Sequence, residues 1–176
     1  MGKTGLAMKS AGYRHGFTIV ELLIVIVVIG ILAAITVAAY NGVQAQARDN
    51  VRKQDLAQLA KATKLYAVDK GDYAEVNCGS AGSGWLPTDY DGLGLAVPII
   101  SCLTSGGYLS KELRDPSGLG SCSGLTCFAY MKASCAGGTY YYAHLETLPQ
   151  TSTDLDATCQ GTWDTSYGMN YIVRVN

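Results

Sequence analysis

Glu21 is the residue in this chain whose chemistry most needs a partner. It immediately precedes residues 22–47, a stretch of 26 residues without a charge. A helix needs ~20 apolar residues to cross a bilayer, so the stretch is long enough. A carboxylate in such a segment is costly and is retained where it has a partner. The chemistry open to it is charge pairing with a cation brought into the same apolar surroundings.

Other reactive residue types are sparse or unconnected. His144 is the only histidine beyond the span, because His15 precedes it. Alone, it reads as structural. No Gly-x-Ser-x-Gly elbow, phosphate-binding glycine loop or His-Glu-x-x-His pair occurs. Asp89 and Asp91 before Gly92 faintly suggest a calcium loop, but the spaced ligands of a full loop are missing. They read as solvated turns, as do Asp154, Asp156 and Asp164. Cys122-x4-Cys127 lacks the second close pair of a zinc site. The sequence predicts no enzyme, no metal and no cofactor.

Six cysteines, Cys78, Cys102, Cys122, Cys127, Cys135 and Cys159, all lie beyond the apolar stretch. An even number in an exported region points to disulfides. Six cysteines allow 15 pairings, so spacing leaves the connectivity open.

The elements that position these residues follow from charge and periodicity. Lys3, Lys9 and Arg14 precede the span, and Arg48, Arg52 and Lys53 follow it. The positive-inside count is therefore a tie. An ordinary signal peptide is excluded by the length of the apolar run and by Glu21 within it. Beyond the membrane, Leu56, Leu59, Ala60, Thr63, Tyr66 and Ala67 recur at helical spacing. Arg52, Lys53, Asp55, Lys61 and Lys64 are expected on other faces, with Asp49 and Lys53 as an i,i+4 pair. Gly71 is expected to end this helix. Residues 17–69 would then form one helix of ~80 Å, far longer than a bilayer needs.

Residues 71–107 read as turns, and residues 108–116 as a short connector ending at Pro116. Strands are expected at 126–133, 139–145 and 169–175, the first two as a hairpin across 134–138. On the last, Tyr171, Val173 and Val175 share a face. The triple tyrosine Tyr140-Tyr141-Tyr142 reads as sheet core in preference to contact surface. From Gly71 onward there are 4 basic and 10 acidic residues, a balance of −6. Non-specific nucleic-acid binding, which needs a basic surface, is not expected.

Gly16-Phe17-Thr18-Ile19-Val20-Glu21, followed by the apolar run, resembles the class III signal of type IV pilins and their pseudopilin relatives. The resemblance is strong over residues 16–40 and loose to the end of the helix. It implies a basic leader, 1–16, cut after Gly16 by a prepilin peptidase, with N-methylation of the new terminus at Phe17. It also implies that the protonated amine of Phe17 in one subunit neutralises Glu21 of its neighbour, setting the register of a homo-oligomeric filament. An assembly ATPase and a platform protein would drive that filament. Residues 17–40 would be the transmembrane and filament-core helix, 41–70 its amphipathic continuation, and 71–176 the extracytoplasmic head.

The implied fold is α+β, a long N-terminal helix packed on a small antiparallel sheet with disulfide-clipped loops. The implied location is the cytoplasmic membrane, single-pass with the head outside, and then an extracellular filament. Expected disulfides are Cys122–Cys127 and Cys135–Cys159, the latter fastening the C-terminal segment as in many pilins. Some pseudopilins bind calcium in C-terminal loops, which keeps the acidic turns of interest. Many pilins carry proline where this chain has Ala38, so a proline-linked kink does not carry over.

The implied role is a structural subunit of a type IV pilus-like filament serving adhesion, motility or DNA uptake. The alternative within the family is a pseudopilin or minor pilin of a type II secretion-like system. From another class, a monomeric membrane-anchored binding module would use the helix only as a tether, but such a tether has no need of Glu21.

Overall fold

A computed structural model describes residues 16–79, 82–86, 97–117, 124, 128–135, 137–149 and 166–176. The chain forms two compact units, Met1–Gly42 and Val43–Asn176. One helix, α1 (Ile19–Lys70, 52 residues), runs through both. No proline interrupts it, and it stays helical through Ala38. Gly71 ends it in the left-handed region, φ +85°, while its N–H donates to Ala67 O at 2.9 Å. Glycine takes that conformation without the clash a Cβ would bring.

In the first unit the apolar side chains of α1 are exposed. Among the described residues, α1 is the one helix long and apolar enough to cross a membrane. Thr36 Oγ1 lies 3.0 Å from both Leu32 O and Ala33 O, so its hydroxyl is satisfied within the helix. A Cβ built on Gly30 or Gly42 would meet nothing within 4 Å. Packing among the described residues therefore gives no reason for either glycine.

The second unit is built on a four-stranded antiparallel sheet: β1 (Gly84–Trp85), β2 (Met131–Cys135), β3 (Gly138–Ala143) and β4 (Tyr171–Arg174), in spatial order β1-β2-β3-β4. The expected hairpin is present, with Cys135 opposite Gly138. The first strand starts at Met131 and runs to Cys135, beyond the expected 126–133. The other two are shorter than 139–145 and 169–175. The region expected to be only turns holds β1 and a short helix, α2 (Ile99–Ser105). α2 begins after Pro98 without a side-chain cap, so the usual start signal is missing. Residues 108–115 form bends and extended chain without regular structure.

Two cores cover the two faces of the sheet. Leu56, Leu59, Ala60 and Ala62 of α1 pack with Ile99 and Leu103 of α2, with Leu86, and with Tyr141 and Val175. Tyr171 and Val173 join this core, as their shared face predicts. Trp85, Met131, Tyr140, Tyr142 and Met169 form the second. Strand alternation splits the triple tyrosine between the two faces, and all three side chains are buried. Tyr141 and Thr63 share a 2.7 Å hydroxyl contact. Thr63 already lies 2.8 Å from Leu59 O as its donor, so Tyr141 donates to Thr63.

Candidate functional site

Glu21 sits in the first turn of α1. Thr18 N–H donates to its Oε2 at 2.8 Å, and Thr18 Oγ1 donates to the same oxygen at 2.7 Å. Glu21 N–H in turn lies 3.2 Å from Thr18 Oγ1. This reciprocal pattern is a capping box, which satisfies amides that the first turn cannot pair. The signature Thr18-x-x-Glu21 is legible in the sequence.

Both side-chain bonds use Oε2. Among the described residues, Oε1 accepts no hydrogen bond. Phe17, one residue before the cap, and Ile19 are almost fully exposed, and Val20, Leu22 and Leu23 are more than half exposed. The geometry therefore presents a helix start with one carboxylate oxygen held by its own chain, the other available, and apolar surface around it. Such a group can receive a cation. Among the described residues it has no neighbouring base or nucleophile with which to do bond chemistry.

The second concentration of charge lies in the Val43–Asn176 unit. Arg52 and Asp55 were expected on faces of α1 other than its apolar stripe, yet both are buried. Arg52 Nε donates to Asp115 Oδ2 at 2.7 Å and Nη2 to Asp115 Oδ1 at 3.0 Å, a bidentate pair. Arg52 Nη1 donates to Asp49 and Glu146, at 2.8 and 2.7 Å. The Phe128 ring covers the guanidinium at 4.8 Å. Arg48 makes a further bidentate pair with Glu146.

Asp49 was expected to pair with Lys53. It accepts instead from Arg52 and from the Glu146 and Thr147 amides and the Thr147 hydroxyl. Lys53 lies 5.8 Å from the Tyr171 ring centroid.

The electrostatics follow from these contacts. The Arg48 hydrogen bonds, aided by Arg52, hold the Glu146 carboxyl down at about 2 despite partial burial. Burial pushes Asp49 upward, but its hydrogen bonds from Thr147, Glu146 and Arg52 outweigh this and leave it lowered. For Asp55 burial prevails over the bond from Tyr130 Oη, and its carboxyl is raised. This network ties α1 to the segments at Asp115 and Glu146. It stores charge pairs and contains no group poised to react. Periodicity missed it because the partners lie far apart in sequence.

Lys132 is also fully buried, on β2. Its Nζ donates to Gly82 O at 2.6 Å, Ser134 Oγ at 3.2 Å and Ala74 O at 3.3 Å. Burial pulls its amine down to about 8. The lysine thereby pins the segment between α1 and β1.

Cys78 bonds to Cys102, with Cα atoms 6.1 Å apart. Cys135 is disulfide-bonded as well, and no described cysteine is free. Cys122, Cys127 and Cys159 lie outside the described residues, so both expected pairings do as well. The acidic turns Asp89, Asp91 and Gly92 and Asp154, Asp156 and Asp164 also lie outside them, as does the leader before Gly16. His144 packs edge-on to Phe128, and its Nδ1–H donates to Gly168 O at 2.6 Å. That is a structural placement.

A family model for the prokaryotic N-terminal methylation motif matches residues 12–37, which include Gly16, Phe17 and Glu21. The chain is 31% identical over 105 residues to the type II secretion system core protein G of Pseudomonas aeruginosa, covering 60% of this chain and 69% of that one. It is 28% identical over 111 residues to the protein of the same name from Escherichia coli K12, covering 63% and 72%. It is 38% identical over 62 residues to the type IV major pilin protein PilA of Myxococcus xanthus, covering 35% and 28%. No solved structure matches the chain significantly.

Proposed function

The chain belongs to the type IV pilin and pseudopilin family, and on that premise we propose that copies assemble through the Phe17 amine of one and Glu21 of the next. It is a pilin-like structural subunit. On this reading a prepilin peptidase cuts between Gly16 and Phe17 and frees the amine that becomes methylated. The subunit waits in the cytoplasmic membrane with its head outside. An assembly ATPase and a platform protein then draw it into the filament.

The observation that carries the reading is the half-used carboxylate of Glu21. Its Oε2 is held by Thr18, while Oε1 stays available among exposed apolar side chains. When α1 helices pack together, water leaves, and an unpaired carboxylate becomes costly. A cation delivered by the neighbour removes that cost and fixes one register. Register is the best-attested use of buried polar groups.

N-terminal sequencing of the mature protein tests the first step, with Phe17 expected as residue one. Retention of Met1 would overturn it. Electron microscopy with antibody to the head tests the second. Labelled filaments support assembly, and diffuse membrane label supports a monomeric binding module.

A role as a secretion pseudopilin is the second reading. The extent of likeness favours it, reaching 105 to 111 residues against relatives named type II secretion core protein G and 62 to 83 against relatives named type IV pilins or fimbrial proteins. Loss of a secreted protein without loss of surface filaments, on deletion of this chain, would select it.

A further inference from the structure

The outward face of α1 in the second unit has an unusual composition. From Val51 to Val68 its exposed positions are Val51, Gln54, Ala57, Gln58, Lys61, Lys64, Leu65 and Val68. None of these is acidic, because Asp55 turns inward; Asp69, exposed just beyond them, is taken up by Tyr108 and Lys70. Among the described residues, neither Lys61 nor Lys64 has an ion-pair partner. Leu65 is 50% exposed and Val68 88%. Beside them runs a groove of about 270 Å³, with Lys61 and Leu65 on one wall and Tyr108 and Leu109 on the other. The face is basic and apolar together.

The loop after α1 carries the opposite charge with the same apolar content. Glu75 is exposed, Asp72 is half-buried and Val76 is 62% exposed. This loop is held in shape. Asp72 Oδ1 accepts from Glu75 N at 2.7 Å, Lys132 grips Ala74 O from beneath, and the Cys78–Cys102 disulfide anchors its end. Buried Lys132 is attracted by both acids, while Glu75 stays exposed. A loop ordered beforehand loses little freedom on binding.

We infer that the Asp72–Glu75–Val76 loop of one copy docks on the Lys61–Lys64–Leu65–Val68 face of the next. Glu75 and Asp72 meet the two lysines, and Val76 meets the apolar positions beside the groove. The two surfaces differ, so the contact is heterologous, and repeating it without closure gives a filament. The four face residues occur at i, i+3, i+4 and i+7, spanning ~10 Å of helix. That length matches a short loop. The inference rests on the filament reading above and adds the head-to-head contact to it.

The test uses the full chain in its native membrane. K61E with K64E should reduce sheared filament by about tenfold, as should D72K with E75K, since two repelling pairs recur at every contact. Combining all four should restore filament to near the wild-type amount. Independently, Lys64→Cys with Val76→Cys should give a ladder of multimers with a short bis-maleimide, and either substitution alone should not. Wild-type-like filament from both charge-reversed pairs, or no ladder from filaments that do form, overturns the docking surface. A wild-type chain that makes no filament overturns the earlier reading instead, so the two failures are distinguishable.

Discussion

Arg52 and Asp115 lie 63 positions apart and form a bidentate pair in which neither side chain is exposed. Arg52 also neutralises Asp49 and Glu146, so one guanidinium serves three carboxylates. Removing one partner of a buried pair strands the others and costs ~3–5 kcal/mol. Arg52→Met should destabilise the Val43–Asn176 unit by about that amount. Arg52→Lys should recover only part of it, because an ammonium cannot reproduce the planar fork. Urea unfolding of the detergent-solubilised chain measures both. Equal stability of Arg52→Met and wild type would show that the pairs only offset their own burial.

Lys132 and Glu146 give pH dependences of the same sign in two separate windows. The folded amine of Lys132 titrates at about 8, below the usual 10.5. The unfolded chain then binds the proton more tightly, and stability from this group rises as pH increases from about 8 to 10.5. Glu146 is held at about 2, below the usual 4.5. Its contribution is present above 4.5 and is lost as pH falls towards 2. Thermal unfolding across pH should show a loss on the acid side, and the alkaline gain should vanish in Lys132→Met. An alkaline gain that persists in that variant would assign it to another group.

The legible and hidden parts of the fold divide by distance along the chain. Leu56, Leu59 and Ala60 were found because their partners in the pattern lie within two turns. Tyr171, Val173 and Val175 were found by strand alternation for the same reason. Arg52 and Asp55 fall off the apolar stripe, and nothing local reveals Asp115 or Tyr130 as their partners. β1 has two residues, too few for any alternation, and α2 lacks the cap that marks a helix start. The spacing of Thr18 to Glu21 is a recognised capping signature, and it is local enough to be legible. The Cys78–Cys102 pairing was one of many that spacing alone allows.

The Cys78–Cys102 disulfide closes a segment with a sequence separation of 24 that contains β1 and the first turn of α2. Closing a loop of this size restricts the unfolded chain by ~3 kcal/mol. Cys78→Ala with Cys102→Ala should lower the urea midpoint accordingly. Lys132 still holds Ala74 and Gly82 through its own hydrogen bonds, so the sheet should survive with an unchanged circular dichroism spectrum below the transition. Loss of the sheet signal in the absence of urea would mean that the disulfide, and not the lysine, sets the path of this segment.

Thr18 and Glu21 allow the two roles of the carboxylate to be separated. Thr18→Val removes the hydroxyl bond to Oε2 but keeps the Thr18 amide that also donates to it. It should weaken the helix start by ~1 kcal/mol while leaving Glu21 charged and able to receive a neighbour's amine. Glu21→Gln keeps the size and a capping carbonyl but removes the charge. If pairing with the Phe17 amine sets the register, Glu21→Gln should lose filament far more than Thr18→Val, with insertion and cleavage intact in both. If the cap alone mattered, the order would reverse, because glutamine retains a capping acceptor and valine does not. Quantifying sheared filament and mature N-termini for the two variants side by side decides between charge pairing and capping.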